Sequence, residues 1–125
     1  MADSLEPLAT QVETPAPAHS QDARCSGLYF ALAKLSETGE TGNQASYRET
    51  AAIFLGISVT RLIEAQGLSQ SDAEISVVED VKRYRDQYWQ RLVYAGKSGQ
   101  YDDAVLDSDI PFCLNRGELY AQGKL

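Results

Sequence analysis

Cys25 and Cys113 carry the most informative chemistry in this chain, because they are its only two cysteines. Each stands at the head of an apolar run, in DARCSGLYFALAKLSE (22–37) and DIPFCLNRGELY (109–120). A metal site or a catalytic thiol is disfavoured, since the single histidine, His19, lies in a polar N-terminal stretch and two cysteines do not complete a zinc site. We expect a structural disulfide, and two unpaired core thiols are the alternative.

Four aspartates in YDDAVLDSD (101–109) suggest a calcium loop at first sight. The EF-hand spacing fails, because Pro111 and Phe112 stand where such a loop needs an oxygen ligand and a glycine. We therefore expect no metal and no cofactor, and interpret the run as a solvated connector with helix-capping residues. The acidic candidates for contact with a partner are Asp102, Asp103, Asp107 and Asp109.

The segment EDVKRYRDQYWQR (79–91) interleaves basic and aromatic residues in the manner of a surface for single-stranded nucleic acid. On a helix, however, Tyr84 and Tyr88 fall on the core face, and the basic residues take other faces beside acidic neighbours. A solvated face with local ion pairs is the favoured interpretation. Trp89 lies next to the core stripe, and it is either an anchor for a partner or a core residue.

Motifs for catalysis are missing from the sequence, which has no glycine-rich phosphate loop and no G-x-S-x-G. The carboxylates of Glu79 and Asp80 are adjacent, but neighbours on a helix point about 100° apart and do not converge on one substrate atom. We expect a protein that is not an enzyme. A small hydrolase using carboxylates is the least favoured alternative.

Helices must position these residues, because apolar residues recur at helical spacing and no strand alternation appears. The first predicted helix runs from a cap at Asp22 to Glu37, and the second runs from the capping box SYRE (46–49) to Gln66. The third runs from the capping box SDAE (71–74) to Gly96 and Gly99. The fourth begins with a cap at Asp107–Asp109 and has Pro111 in its first turn. The expected fold is all-α, a small four-helix bundle-like domain with one disulfide. A short fifth helix in the connector, from Asp102 to Leu106, is compatible with it.

The disulfide constrains how these helices connect, since its two Cα atoms must come within about 7 Å. In an up-down-up-down bundle the starts of the first and last helices lie at opposite ends. We therefore expect the connector 97–109 to return along the bundle, so that the last helix runs parallel to the first. Gly56 is expected where another helix crosses the second helix closely.

The chain of 125 residues predicts one domain. Three of the four prolines fall in residues 1–19, which we interpret as a flexible leader before a single helical domain, 20–125. The net charge of −7 argues against nucleic acid and favours a basic or mixed-charge protein partner. No apolar run is long enough for a membrane span.

No signal peptide opens the sequence. The chain is therefore either cytoplasmic, or a mature exported protein whose signal peptide has been removed and replaced by a start Met. The cysteine pair favours the second, in a periplasmic or secreted setting. We expect a non-catalytic interaction protein, such as an inhibitor or immunity protein or an accessory subunit of an envelope assembly. The alternative is a cytoplasmic regulator or adaptor with two free thiols, and the oligomeric state stays open.

Overall fold

A computed structural model describes residues 5, 7, 8, 17–37, 44–99 and 103–124. These residues form four helices: α1 (Ala18–Glu37), α2 (Gln44–Gln66), α3 (Gln70–Ser98) and α4 (Ala104–Ala121). No strand occurs in the described part of the chain, so the prediction of an all-α, four-helix protein is confirmed. The fifth helix allowed in the connector is not separate, because Ala104 and Leu106 belong to the first turn of α4.

The helix C-termini follow local sequence closely. Gly67 has a φ of 66° and its N–H donates to the carbonyl of Ile63, and Gly99 has a φ of 70° and donates to Ala95. A positive φ is accessible to glycine without a steric penalty, so each glycine ends its helix in the usual way. The predicted ends of α2 and α3 are confirmed, and Gly96 lies inside α3.

The predicted helix starts were wrong in each case. Both capping boxes fail, since α2 begins before Ser46 and the N-cap of α3 is Ser69, whose side chain accepts from the N–H of Asp72 at 3.1 Å. Asp22 lies inside α1. Helix α4 is capped by Asp103 and continues through Pro111, because tertiary contacts on both sides of this proline outweigh its local cost.

Helix α1 is the centre of the fold and packs along both α2 and α3. Every residue from Asp22 to Leu28 is buried, so this segment is enclosed on several sides. The sequence predicted an amphipathic helix here, with one buried face only. One core cluster surrounds the cysteines with Leu28, Phe54 and Tyr88. A second lies between α1, α2 and α3 and includes Ala23, Val59, Leu62, Val77 and Val81.

A close helix crossing lies at Gly27 and not at Gly56. A Cβ on Gly27 would stand 2.6 Å from the Cβ of Tyr84 and 2.8 Å from the backbone nitrogen of Arg85. Gly27 therefore lets α1 and α3 approach closely. Gly56 is exposed with nothing within 4 Å of an added Cβ, so none of the four described helices crosses there, contrary to the expectation.

Helix α4 crosses α1 and does not run parallel to it, which corrects the predicted topology. Its C-terminal half contacts Asp22, which precedes Cys25 in α1, and also lies beside Tyr29, which follows Cys25. If the two helices were parallel, residues further along α4 would contact only residues further along α1. The disulfide forms because Cys113 lies about two and a half turns into α4, so the first turns of this helix make the return that the sequence assigned to the connector.

One residue of the predicted leader belongs to the core. Leu8 is buried in the first core cluster, and Leu5 packs against that cluster. The backbone N–H of Leu8 donates to Asp109 at 2.8 Å. The burial of Leu8 does not fit a leader that is flexible throughout, although the domain boundary at 19/20 stays a prediction.

Candidate functional site

The disulfide between Cys25 and Cys113 joins α1 to α4. Their Cα atoms lie 5.4 Å apart, and both side chains are fully buried. The expected disulfide is confirmed, and it leaves neither cysteine free. With both sulfurs bonded and buried, the pair holds two helices together and offers no thiol for chemistry.

A buried ion pair lies on one side of this disulfide. The Arg24 guanidinium donates to Asp109 at 2.6 Å, and the Tyr88 hydroxyl donates to the same carboxylate oxygen. The N–H of Leu8 donates a hydrogen bond to the second carboxylate oxygen of Asp109. Asp109 is thus fully buried with both oxygens bonded, so its predicted place on a partner-binding surface was wrong.

A second buried carboxylate, Asp22, lies on the other side of the disulfide. Arg116 donates to it at 2.6 Å, the Tyr120 hydroxyl donates at 2.8 Å, and Arg61 of α2 forms an ion pair at 3.4 Å. Three helices therefore meet at one buried carboxylate. Sequence reasoning assigned Asp22 to a helix cap and missed this cluster entirely.

Helical spacing around the cysteines was the signal for the Asp22 cluster. Asp22 precedes Cys25 by three residues, and Arg116 follows Cys113 by three. Residues three or four apart lie on the same helix face, so a disulfide also brings such neighbours together. Opposite charges at these positions therefore predict an ion pair once the cysteines are taken as bonded.

Tyr88, which is buried, and Tyr120, which is partly buried, both act as hydrogen-bond donors in these clusters. Burial raises the pKa of Tyr88, and the neighbouring Asp109 carboxylate raises it further. Burial likewise raises the pKa of Tyr120, which also donates to Asp22. Both phenols stay protonated at neutral pH and complete the bonding of buried carboxylates. The arrangement is a cross-link between helices and exposes no reactive group.

Fewer of the predicted partner-binding aspartates are exposed than the sequence suggested. Asp103 caps α4 and forms an ion pair with Arg91 at 2.9 Å, so much of its charge is used within the protein. Asp107 is exposed in the first turn of α4. Asp102 lies outside the described residues. Asp107 therefore keeps the character expected of a partner-binding carboxylate.

Trp89 is neither a free surface residue nor a fully buried one. Its ring packs against the first core cluster, and the Lys34 ammonium lies 4.8 Å from the ring centroid. A lysine in this position is attracted to the negative face of the ring. The role of Trp89 as a partner anchor stays a prediction.

An exposed apolar groove lies between α2 and α4. Ile53 of α2 and Leu114 of α4 both line it, and each side chain is 55% exposed. Phe54 and Gly117 line it as well, and the space holds about 500 Å³. We call it the α2–α4 groove. Sequence reasoning placed no site here.

Exposed acidic residues lie next to the apolar residues on both helices of the groove. Along α2, Glu49 and Glu64 flank Ile53 and Ile57 at helical spacing. On α4, Glu118 lines the groove and follows Leu114 by four residues. Asp107 lies nearer to the end of α4 that packs on α3, where Asp103 pairs with Arg91. We call the three exposed acids beside the groove the acidic rim: Glu49, Glu64 and Glu118.

These features describe a disulfide-bonded four-helix protein with an acidic, apolar-centred groove. Across the described ranges, no helix is long and apolar enough to cross a membrane. Within the same part of the chain, no three His, Cys, Asp or Glu side chains group as metal ligands would. Compared with known protein families, with curated proteins and with solved structures, the chain shows no match in any of the three.

Proposed function

We propose that this chain is a non-catalytic protein that binds another protein, of basic or mixed charge. The observation that carries the proposal is the exposure of Ile53 and Leu114 in one groove. Isolated exposed apolar residues are common, but two that line the same concave surface are typical of a binding site. An inhibitor, an immunity protein or an accessory subunit of an envelope assembly works by this kind of contact.

The disulfide supports a periplasmic or secreted location. Disulfides persist in oxidising compartments and are rare in the cytosol, where thiols are kept reduced. The bond closes a loop across 88 positions, so it restricts the unfolded chain strongly. A cytoplasmic adaptor is the alternative, and it would have to work with this bond reduced.

The charge distribution supports a protein partner over a nucleic acid. The net charge is −7, and the acidic rim concentrates carboxylates around the groove. Phosphates would be repelled by such a surface, whereas lysine and arginine side chains would be attracted to it. The titratable groups Asp22, Asp109, Tyr88 and Tyr120 bond one another or arginines, which supports a structural role for them.

Affinity capture from the exported protein fraction of the native source tests this proposal. The native, oxidised chain is immobilised, and the control is the same chain reduced, alkylated and unfolded. We expect a stoichiometric protein partner that the native chain alone retains and that rising salt releases. Retention of no protein beyond the control would contradict the proposal. A partner found only in the cytoplasmic fraction would instead support the cytoplasmic alternative.

A further inference from the structure

We propose that the α2–α4 groove binds an amphipathic helix of a partner protein, with its apolar face inserted and lysine or arginine residues at its flanks. This inference rests on the proposed function and specifies where the partner docks and by which chemistry. Helix-in-groove binding pairs an apolar helix face with an apolar cleft. The α2–α4 groove offers such a cleft with Ile53 and Leu114 at its surface.

The acidic rim selects the charge of the occupant. Its three carboxylates lie outside the apolar centre on both helices, and no ion pair among the described residues engages Glu64 or Glu118. The Arg61 cation near Glu64 is already paired with Asp22. Basic residues at the flanks of an apolar helix face would complement this pattern.

The spacing of the two rim acids on α2 fits a helix of about four turns. Glu49 and Glu64 are fifteen positions apart on α2, which is about 22 Å along a helix axis. An incoming helix of roughly 15 residues would therefore place its two ends beside acidic residues.

Gly56 permits a close approach at the middle of this face. A glycine inside a helix costs stability relative to alanine, and nothing in the described chain packs against Gly56. Gly56 and Thr60 line a shallow cavity beside Ile53 and Ile57, which continues the groove along α2. A partner helix can therefore lie close to the α2 backbone here.

A second copy of this chain is a poorer occupant. A symmetric dimer through the groove would bring the acidic rim of one copy against the same rim of the other. Like charges placed opposite one another across an interface disfavour association. The charge pattern therefore favours a partner of different sequence.

Photocrosslinking at matched isoleucines tests where the partner docks. Ile53 in the groove and Ile75 on α3 are 55% and 58% exposed, so p-benzoylphenylalanine at position 53 or 75 has equal access to solvent. The full-length, oxidised chain is incubated with the exported fraction and irradiated, and the attached peptide is identified by mass spectrometry. We expect position 53 to capture an amphipathic helical segment with flanking Lys or Arg, and position 75 to capture none.

The other crosslinking outcomes overturn the inference and separate it from the proposed function. Capture at position 75 alone, or of an acidic or extended segment at position 53, overturns the helix-in-groove inference while a protein partner remains. Capture of this chain itself at position 53 shows a homodimer in its place. Capture at neither position, with no partner retained by affinity capture, overturns both.

A pair of glycine substitutions tests the close approach at Gly56. Gly56 and Gly96 both lie inside helices, and a Cβ added at either position would have nothing within 4 Å. Both Gly56→Leu and Gly96→Leu should therefore fold. The probe is a synthetic peptide of the segment captured at position 53. We expect Gly56→Leu to weaken its binding at least about tenfold and Gly96→Leu to change it less than about twofold. Equal affinities of the two folded variants would overturn the inference.

Discussion

Asp103 combines two roles at the scale of a single residue. Its carboxylate accepts from the N–H groups of Val105 and Leu106, which begins α4, and it forms an ion pair with Arg91 of α3. Although partial burial opposes ionisation, these donors hold the pKa of Asp103 below its ordinary value of 3.8. A depressed folded-state pKa stabilises the protein above the unfolded-state pKa, and this contribution is lost as the pH falls through the folded-state value.

Substitution of Asp103 separates the two roles. Asparagine also caps helices, so Asp103→Asn should cost about 1 kcal/mol at pH 7, whereas Asp103→Ala should cost about 2 kcal/mol. Below about pH 4 the difference in unfolding free energy between wild type and Asp103→Asn should shrink, because wild-type Asp103 becomes neutral. Urea unfolding from pH 7 to pH 3 measures this. A difference that stays constant across this range would contradict the assigned ion pair.

Asp107 and Asp109 illustrate which single-residue properties the sequence could not provide. Both are aspartates two positions apart, yet Asp107 is exposed and Asp109 is fully buried. Residues two apart on a helix point about 200° from one another, so the register of α4 decides which one faces the core. That register follows from the cap at Asp103, which the sequence placed four to six residues too late.

At the scale of the helices, close packing at Gly27 is a stronger constraint than local propensity. The backbone of Arg85 and the Cβ of Tyr84 occupy the space that a side chain on Gly27 would need. Backbone cannot move aside as a flexible side chain can, so α1 and α3 would have to separate. The sequence contains no periodic pattern that marks this glycine, because its role depends on α3.

Alanine substitution of two helical glycines tests this packing. Gly27→Ala should destabilise the protein by about 2 kcal/mol or more, since the added methyl meets backbone. Gly56→Ala is the matched control and should stabilise it by up to about 1 kcal/mol, because the added Cβ meets nothing. Thermal unfolding of both variants gives the comparison. A stabilised Gly27→Ala variant would show that α1 and α3 do not approach so closely.

At the scale of the whole molecule, the disulfide joins distant parts of the chain. It links positions 88 residues apart and lies between the two buried ion-pair clusters. The double variant Cys25→Ala/Cys113→Ala should lose about 4 to 5 kcal/mol of unfolding free energy, on the loop-entropy account. The oxidised wild type should be about 2 Da lighter than the reduced chain and resist alkylation while folded. Rapid alkylation of the folded, aerobically purified chain would contradict the bond.

The contact of Leu8 with the core extends the folded unit toward the N-terminus. Leu8 packs beside the cysteines and donates to Asp109 through its backbone. Leu8→Ala should therefore cost about 2 to 4 kcal/mol, as buried leucines do. Leu114→Ala is the control and should cost much less, because Leu114 is largely exposed. Equal unfolding free energies for the two variants would restore the predicted leader up to residue 19.

The sequence by itself determined the all-α class, the number of helices and the ends of α2 and α3. Helical periodicity and C-terminal glycines are local signals, and a lone pair of cysteines leaves one intramolecular pairing. Only the tertiary structure decided that Asp22 and Asp109 are buried, that α4 crosses α1 and that an acidic-rimmed groove opens between α2 and α4. These features depend on the rotation of each helix about its axis, and an error of one residue turns a helix face by about 100°.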